Sequence, residues 1–184
     1  MQRIPTLKIA TTDGKANALL GAVKSALGAE LNIFGAMANA PAVLEGYLGF
    51  NKALGSGTLP AQLREQLALT TAGYNGCNYC ASAHTFMGSR QGLSKEETTA
   101  NLSGTASDGK VQAALDFARK VIDNRGHVAD SDVDTIRQAG FTDEELVEIV
   151  AHVALNTFTN YFNEVFKTDI DFPVVETHPV RKSA

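Results

Sequence analysis

Two cysteines and a histidine lie close together in the segment NGCNYCASAH. Cys77 and Cys80 are the only cysteines of the 184-residue chain, and His84 follows the second by four residues. Thiols react as thiolates, and both a helix N-terminus and a nearby imidazole lower the pKa of a thiol. The spacing therefore predicts reversible disulfide chemistry, with His84 as a base for Cys80 and the helix end acting most on Cys77. This local chemistry does not decide which cysteine attacks first.

An acidic residue upstream, Glu65, extends this candidate site. It precedes Cys77 by twelve residues, and a turn over residues 73–76 separates the two. Residues three and four apart share one helix face, so Cys77, Cys80 and His84 form a stripe that an antiparallel helix would bring beside Glu65. A carboxylate there can orient the imidazole or pass protons to solvent. The candidate catalytic residues are therefore Cys77, Cys80, His84 and Glu65, and Tyr79 is expected on the other side of the helix.

The same residues allow two other interpretations. Cys77, Cys80 and His84 supply three potential zinc ligands, with His127 or His152 as a fourth. Three ligands on one short helix make an awkward zinc geometry, so we expect no metal and no other cofactor, and we interpret His127 and His152 as surface or interface residues. In the second interpretation the cysteines only pack in the core of an inert helical protein.

The elements that must position these residues are helices. The break at residues 75–76 ends one helix, and the CxxC segment opens the next, which is expected to run to residue 90. Thr142 and Glu145 form a capping-box pattern before a long last helix, whose apolar stripe is wider than one neighbour needs and predicts contact with another subunit. Strand patterns are weak, so the predicted fold is all-α. Further helices are expected over residues 16–27, 33–38, 43–54, 58–73 and 109–124, with shorter ones capped by Ser94 and Ser131.

Length and charge narrow the possible classes of protein. A chain of 184 residues folds without disulfides, and we expect one domain over residues 1–184, with a core from about 15 to 175 and a polar tail over 176–184. The net charge is −4 and basic residues are scattered, which argues against nucleic-acid and anionic-membrane partners. No secretion signal or run of ~20 apolar residues is present, so the expected location is the cytoplasm.

A resemblance to a known family is based on the motif Glu65, Cys77, Cys80 and His84. This motif resembles the core motif of the AhpD-like alkylhydroperoxidases, within the wider carboxymuconolactone decarboxylase family. The segments MANAPAVLEGYLGF and ALNTFTNYFNEVFKTDIDFP are similar to its peroxidase-related branch, so the resemblance covers about residues 15–175. It implies an all-helical fold that assembles as trimers or hexamers and reduces organic hydroperoxides with its cysteine pair. The decarboxylase branch generally lacks the CxxC, which argues against ring decarboxylation.

The resemblance also implies residue roles. Cys80 attacks the hydroperoxide and becomes a sulfenic acid, Cys77 resolves it, and Glu65 and His84 form a proton relay with Cys77. A lipoyl or thioredoxin-like dithiol partner then reopens the disulfide. The best-known members have a histidine where this chain has Tyr79, and a phenol with a pKa near 10 is a poor base, so we expect slower or narrower peroxidase activity. The alternative is a non-peroxidase disulfide oxidoreductase or redox sensor that uses the same cysteines.

Overall fold

The computed structural model describes residues 2–177, and over that range the chain is all-α, as predicted, with no β-strand. Most of the predicted polar tail, from residue 178 onward, lies outside the described residues. A short 3-10 turn at Ile9–Thr11 precedes the α-helices. In chain order these are α1 (Gly14–Leu27), α2 (Asn32–Met37), α3 (Pro41–Gly55), α4 (Ala61–Asn75), α5 (Asn78–Arg90), α6 (Lys95–Leu102), α7 (Gly109–Asp123), α8 (Asp130–Gln138) and α9 (Asp143–Phe166).

Helix α4 is the central element and packs against α5, α6, α7 and α9. Its close approach to α6 requires a glycine, because a β-carbon at Gly73 would overlap the backbone carbonyl of Leu102. One apolar cluster lies between α4, α7, α8 and α9. The second joins α1, α2, α3 and α5 and contains both cysteines. The candidate thiols are therefore core residues that α4 and α9 border.

The turn between α4 and α5 confirms the predicted position of the CxxC segment. Gly76 ends α4 with φ 72°, a left-handed conformation that side chains with a β-carbon rarely adopt. Cys77 follows as the N-cap of α5, and its Sγ accepts the backbone N–H of Cys80 at 3.3 Å. One thiol thus caps the helix, and the other lies in its first turn.

Two predicted helix starts are wrong. Helix α4 begins at Ala61 rather than at Thr58, because the backbone N–H and the hydroxyl of Thr58 both donate to the buried carboxylate of Glu148 on α9. Helix α8 is capped at Ala129, two residues earlier than Ser131 would place it: the Asp132 carboxylate accepts the backbone N–H of Ala129 at 3.0 Å. In both cases a carboxylate accepts a backbone N–H of the chain just before the helix.

The long last helix is confirmed, with Thr142 and Glu145 in the predicted capping box. Its apolar stripe divides in two, one part buried in the core and the other exposed. We call the exposed part the α9 outer face. It consists of Val147, Val150, Phe158, Tyr161 and Val165. Across residues 2–177, none of the helices has the length and apolar character needed to cross a membrane.

After α9 the chain folds back over α5, and we call residues 168–177 the C-terminal strap. Asp171 accepts hydrogen bonds from the Tyr79 hydroxyl at 2.7 Å and from the backbone N–H of Asn32 at 2.8 Å. Further along, the backbone N–H of Val175 donates to the Ser82 hydroxyl at 2.9 Å. The strap therefore covers the face of α5 that carries Tyr79.

Candidate active site

Glu65 and His84 form a hydrogen-bonded pair across the α4–α5 hairpin. The Nδ1 of His84 lies 2.8 Å from Glu65 Oε2, and 19% and 18% of the two side chains are exposed. Burial alone would lower the pKa of His84, but the charge and hydrogen bond of Glu65 and the charge of Cys80 outweigh it and raise that pKa. The antiparallel return expected from the sequence therefore brings these two residues together and favours an imidazolium.

The two cysteines form a reduced, buried pair. Their Sγ atoms lie 2.7 Å apart, with the Cys77 thiol donating to Cys80. A disulfide bond is about 2.05 Å long and needs Cβ atoms about 3.8 Å apart, so closure requires only a small movement of the first turn of α5. The pair has the geometry that reversible disulfide formation needs.

The environment makes the two thiols unequal. Burial raises the pKa of Cys80, but the hydrogen bond from Cys77, the charge of His84 and the hydrogen bond from Asn163 lower it to about 7. The pKa of Cys77 is raised, because its proton is held in the hydrogen bond to Cys80 and because it is buried. The helix end, which was expected to act most on Cys77, therefore does not make Cys77 the more acidic thiol. Cys80 is the cysteine that ionises near neutral pH.

Two asparagines of α9 complete the environment of Cys80, and the sequence analysis missed both. Asn163 Nδ2 donates to Cys80 Sγ at 3.3 Å. Asn160 is fully buried, its Oδ1 accepts from Asn75 at 2.9 Å, and its amide contributes to lowering the Cys80 pKa. Buried amides need hydrogen-bond partners, so two asparagines within the apolar stripe of α9 indicated a buried polar contact there.

A cavity of about 230 Å³ lies beside Cys80, and we call it the thiol cavity. Cys80, His84, Glu65 and Asn163 contribute its reactive and polar groups. Its walls are mainly apolar and come from α1, α2, α5 and the strap. The apolar side chains are Leu27, Leu31, Ile33, Phe34, Ala83, Met87 and Phe172. A small organic molecule that reaches the Cys80 sulfur would therefore be bound mainly by hydrocarbon and aromatic contacts.

Tyr79 also lines the thiol cavity, so its expected position on the far side of α5 is wrong. Its ring packs edge-on against Phe172, with the centroids 6.0 Å apart. Burial and the hydrogen bond to Asp171 raise the pKa of the hydroxyl, which therefore stays protonated. Tyr79 acts here as a fixed wall and a hydrogen-bond donor to the strap, not as a base.

The Glu65–His84 pair also lines a second, more polar pocket of about 190 Å³, and we call it the outer pocket. Arg64 and His152 line it. Among residues 2–177, the buried Nε2 of His152 has no hydrogen-bond partner, and burial and Arg64 lower the pKa of this side chain. The prediction that His152 is a surface or interface residue is therefore wrong within the described chain.

His127, the other histidine considered as a fourth zinc ligand, is exposed, as expected for a surface residue. His84 uses its Nδ1 to bind Glu65. Within the described range, no group of three or more histidine, cysteine, aspartate or glutamate side chains is arranged to hold a metal ion.

Comparison with known proteins agrees with this fold. The chain is similar to an uncharacterized peroxidase-related protein with an alkylhydroperoxidase AhpD core from Ralstonia eutropha JMP134 (24% identity, 92% of each chain covered, TM-score 0.84). A peroxidase-related protein from Silicibacter sp. TM1040 follows (20% identity, 89% of this chain and 90% of that one, TM-score 0.77). The debrominase Bmp8 in complex with 2,3,4-tribromopyrrole is also similar (20% identity, 85% and 86% covered, TM-score 0.72). No curated protein matches the chain.

These structural similarities define the class as an all-α protein with the AhpD-like fold. Residues 41–124, from α3 to the end of α7, match the carboxymuconolactone decarboxylase family. This match and the shared fold confirm the resemblance expected from the sequence. The catalytic roles expected for Cys77, Cys80, His84 and Glu65 stay predictions, although the four side chains lie together.

Proposed function

We propose that this protein is a thiol-dependent peroxidase that reduces organic hydroperoxides in the cytoplasm. The observation that carries the proposal is the Cys80 thiol, whose pKa is lowered to about 7 and whose side chain lines a mainly apolar cavity. A thiolate at neutral pH supplies the nucleophile, and the cavity suits the organic group of the peroxide.

The proposed reaction is a two-electron exchange at sulfur. The Cys80 thiolate attacks the terminal oxygen of the hydroperoxide, the O–O bond breaks, and the departing alkoxide takes a proton to become the alcohol. Cys77 then attacks the resulting Cys80 sulfenic acid, and water leaves as the disulfide forms. The Glu65–His84 pair supplies and accepts the protons in these steps. It does so without a second histidine, because this chain has Tyr79 at that position. A partner dithiol reduces the disulfide and completes the cycle.

The burial of both sulfurs favours a small oxidant. Cys77 is 0% and Cys80 3% exposed. A disulfide on the surface of a folded protein is sterically excluded from them, whereas a small hydroperoxide fits the thiol cavity. This argues against the alternative of a general disulfide oxidoreductase. The same burial favours a reductant with its dithiol on a slender arm, such as a lipoyl group, over a thioredoxin-like surface.

The central experiment is rapid-mixing oxidation by cumene hydroperoxide, with thiol counting. The wild type should lose two thiols reversibly and turn over with an added dithiol. Cys80→Ser should consume no peroxide, and Cys77→Ser should stop at a sulfenic acid that dimedone traps on Cys80. Peroxide consumption by Cys80→Ser at the wild-type rate would refute the proposal. Unchanged thiols in the wild type would instead support the packing interpretation, and faster exchange with protein disulfides than with peroxide would support the oxidoreductase alternative.

We also propose that the chain forms a homo-oligomer, a trimer or hexamer, through the α9 outer face. Val147 and Tyr161 on this face are 70% and 57% exposed, which is unusual for large apolar side chains grouped on one helix. Val147→Glu with Tyr161→Glu should therefore lower the mass measured by light scattering at micromolar concentration. Val174→Glu, an equally exposed position on the C-terminal strap, is the matched control. A monomeric wild type would refute this proposal.

A further inference from the structure

Tyr47, on α3, stands between the two pockets of the candidate active site. Its side chain lines both the thiol cavity and the outer pocket, together with Glu65 and His84 in each case. Burial is the main cause that raises the pKa of its hydroxyl, and the charges of Cys80 and Glu65 raise it further. The hydroxyl is therefore a protonated group within electrostatic reach of the reactive sulfur.

The ring of Tyr47 is held from two sides, whereas its hydroxyl is free. The Phe34 ring centroid lies 6.0 Å away, and that of Phe158 on α9 lies 6.3 Å away. Across residues 2–177, no protein group hydrogen-bonds to the Tyr47 hydroxyl. A partly buried tyrosine with a fixed ring and an unused O–H is available to bind a molecule in the cavity.

Most of the other uncharged donors at the thiol cavity are already hydrogen-bonded within the fold. The Tyr79 hydroxyl donates to Asp171, and the Asn163 amide donates to Cys80 Sγ. Thr159 donates to the backbone carbonyl of residue 156, and Asn51 is exposed to solvent. In this part of the described chain, the Tyr47 hydroxyl is thus a neutral, partly buried donor that has no hydrogen-bond partner within the fold.

We propose that Tyr47 is a further catalytic residue, which donates a hydrogen bond to the alkoxy oxygen of the bound hydroperoxide as the O–O bond breaks. The inference rests on the proposed peroxidase function. In this step the S–O bond forms at Cys80, the electron pair of the O–O bond goes to the alkoxide, and the negative charge moves from sulfur to oxygen. The proton that converts the alkoxide to the alcohol comes from the His84 imidazolium. A donor aimed at developing charge stabilises the transition state more than the ground state.

The test compares two oxidants whose leaving groups differ in basicity. Tyr47→Phe keeps the ring contacts and removes only the hydroxyl, and the readout is the rate of Cys80 oxidation by cumene hydroperoxide and by a peracid. We expect a loss of about 100-fold with the hydroperoxide, as for removal of one oxyanion donor. With the peracid we expect less than about threefold, because its carboxylate leaving group, with a pKa of about 4, needs little stabilisation. Tyr79→Phe, whose hydroxyl binds the strap, is the matched control and should show no such selectivity.

An equal loss of rate with both oxidants would mean that Tyr47 acts through packing, and it would overturn the inference. An unchanged rate with both oxidants would overturn it as well. These outcomes differ from a failure of the proposed function. In that case the wild type itself would react with neither oxidant, and the inference would fall with the function it rests on.

Discussion

The hydrogen bond from Asn163 to Cys80 predicts how the pH dependence of Cys80 reactivity should change when Asn163 is replaced. The donor lies 3.3 Å from the sulfur, and the Asn163 side chain is buried. A hydrogen bond to a charged group contributes about 1.5–3 kcal/mol, and one pKa unit corresponds to about 1.4 kcal/mol. Asn163→Leu should therefore raise the Cys80 pKa by about one to two units from its value of about 7. The Oδ1 of Asn163 is buried without a partner among residues 2–177, so the apolar side chain leaves no other group unpaired.

The rate consequence depends on pH. At pH 7 the thiolate fraction falls from about one half to about 1–9%, but nucleophilicity rises by about threefold per pKa unit if the Brønsted slope is about 0.45. The net effect is a rate about two- to sixfold lower at pH 7 and about three- to eightfold higher near pH 10, so the two profiles should cross near pH 8. Because the pKa of Cys80 is lowered in the folded protein, its thiolate is present above about pH 7 and is lost below it.

The assay is alkylation of Cys80 by iodoacetamide, followed by mass spectrometry, which is independent of the peroxidase proposal. Asn156→Leu is the matched control, because this buried asparagine of α9 donates to the backbone carbonyl of His152 at 2.8 Å and not to the thiol. Its profile should follow the wild type. A rate that drops equally at every pH in Asn163→Leu, with no crossing, would refute the reasoning.

Three further predictions concern the neighbours of the thiol and the packing of α4. Glu65→Gln should lower the pKa of His84, which an NMR titration would measure. Because the pKa of His84 is raised in the folded wild type, the loss of folding stability in this variant should be largest below about pH 6.5 and should shrink as the pH rises. Cys77→Ala should raise the pKa of the remaining thiol by about one to two units in the alkylation assay, and an unchanged midpoint would contradict this. Gly73→Ala should lower the free energy of unfolding in urea by at least about 1–3 kcal/mol, whereas Gly21→Ala, in open space on α1, should raise it by about 0.5–1 kcal/mol.

The part of the site that local geometry defines could be predicted from the sequence. Helix periodicity placed Cys77, Cys80 and His84 on one stripe of α5, and the short turn at Gly76 required α4 to run antiparallel. These two rules place Glu65 near the imidazole, and in the fold Glu65 Oε2 lies 2.8 Å from His84 Nδ1. The long last helix was predictable for the same reason, because its capping box and apolar period are both local patterns.

The remaining errors arise where distant segments meet. Tyr79 was assigned to the far side of α5 from its helical angle, but it lines the thiol cavity, where its hydroxyl donates to Asp171 of the C-terminal strap. Thr58 has the sequence of a helix cap, yet its donors are used by Glu148, ninety residues later. Periodicity along one helix contains no information about which carboxylate another helix will bring to it, so neither contact could be derived from the local pattern.

The inequality of the two thiols arises from contacts within the α5 segment and from a contact with α9. At the start of a helix the partial positive charge favours the N-terminal cysteine, whereas a histidine one turn further on favours the second, so the CxxC segment taken alone does not rank them. In the folded chain, the hydrogen bond from Cys77, the charge of His84 and the hydrogen bond from Asn163 of α9 all lower the pKa of Cys80, so Cys80 is the more acidic thiol. The acidity of Cys80 therefore depends on a contact from α9 as well as on its neighbours in α5. Variants of α9 that leave NGCNYCASAH untouched should raise the pKa of Cys80, and thereby lower its reactivity at neutral pH, while Cys80 stays the more acidic of the two thiols.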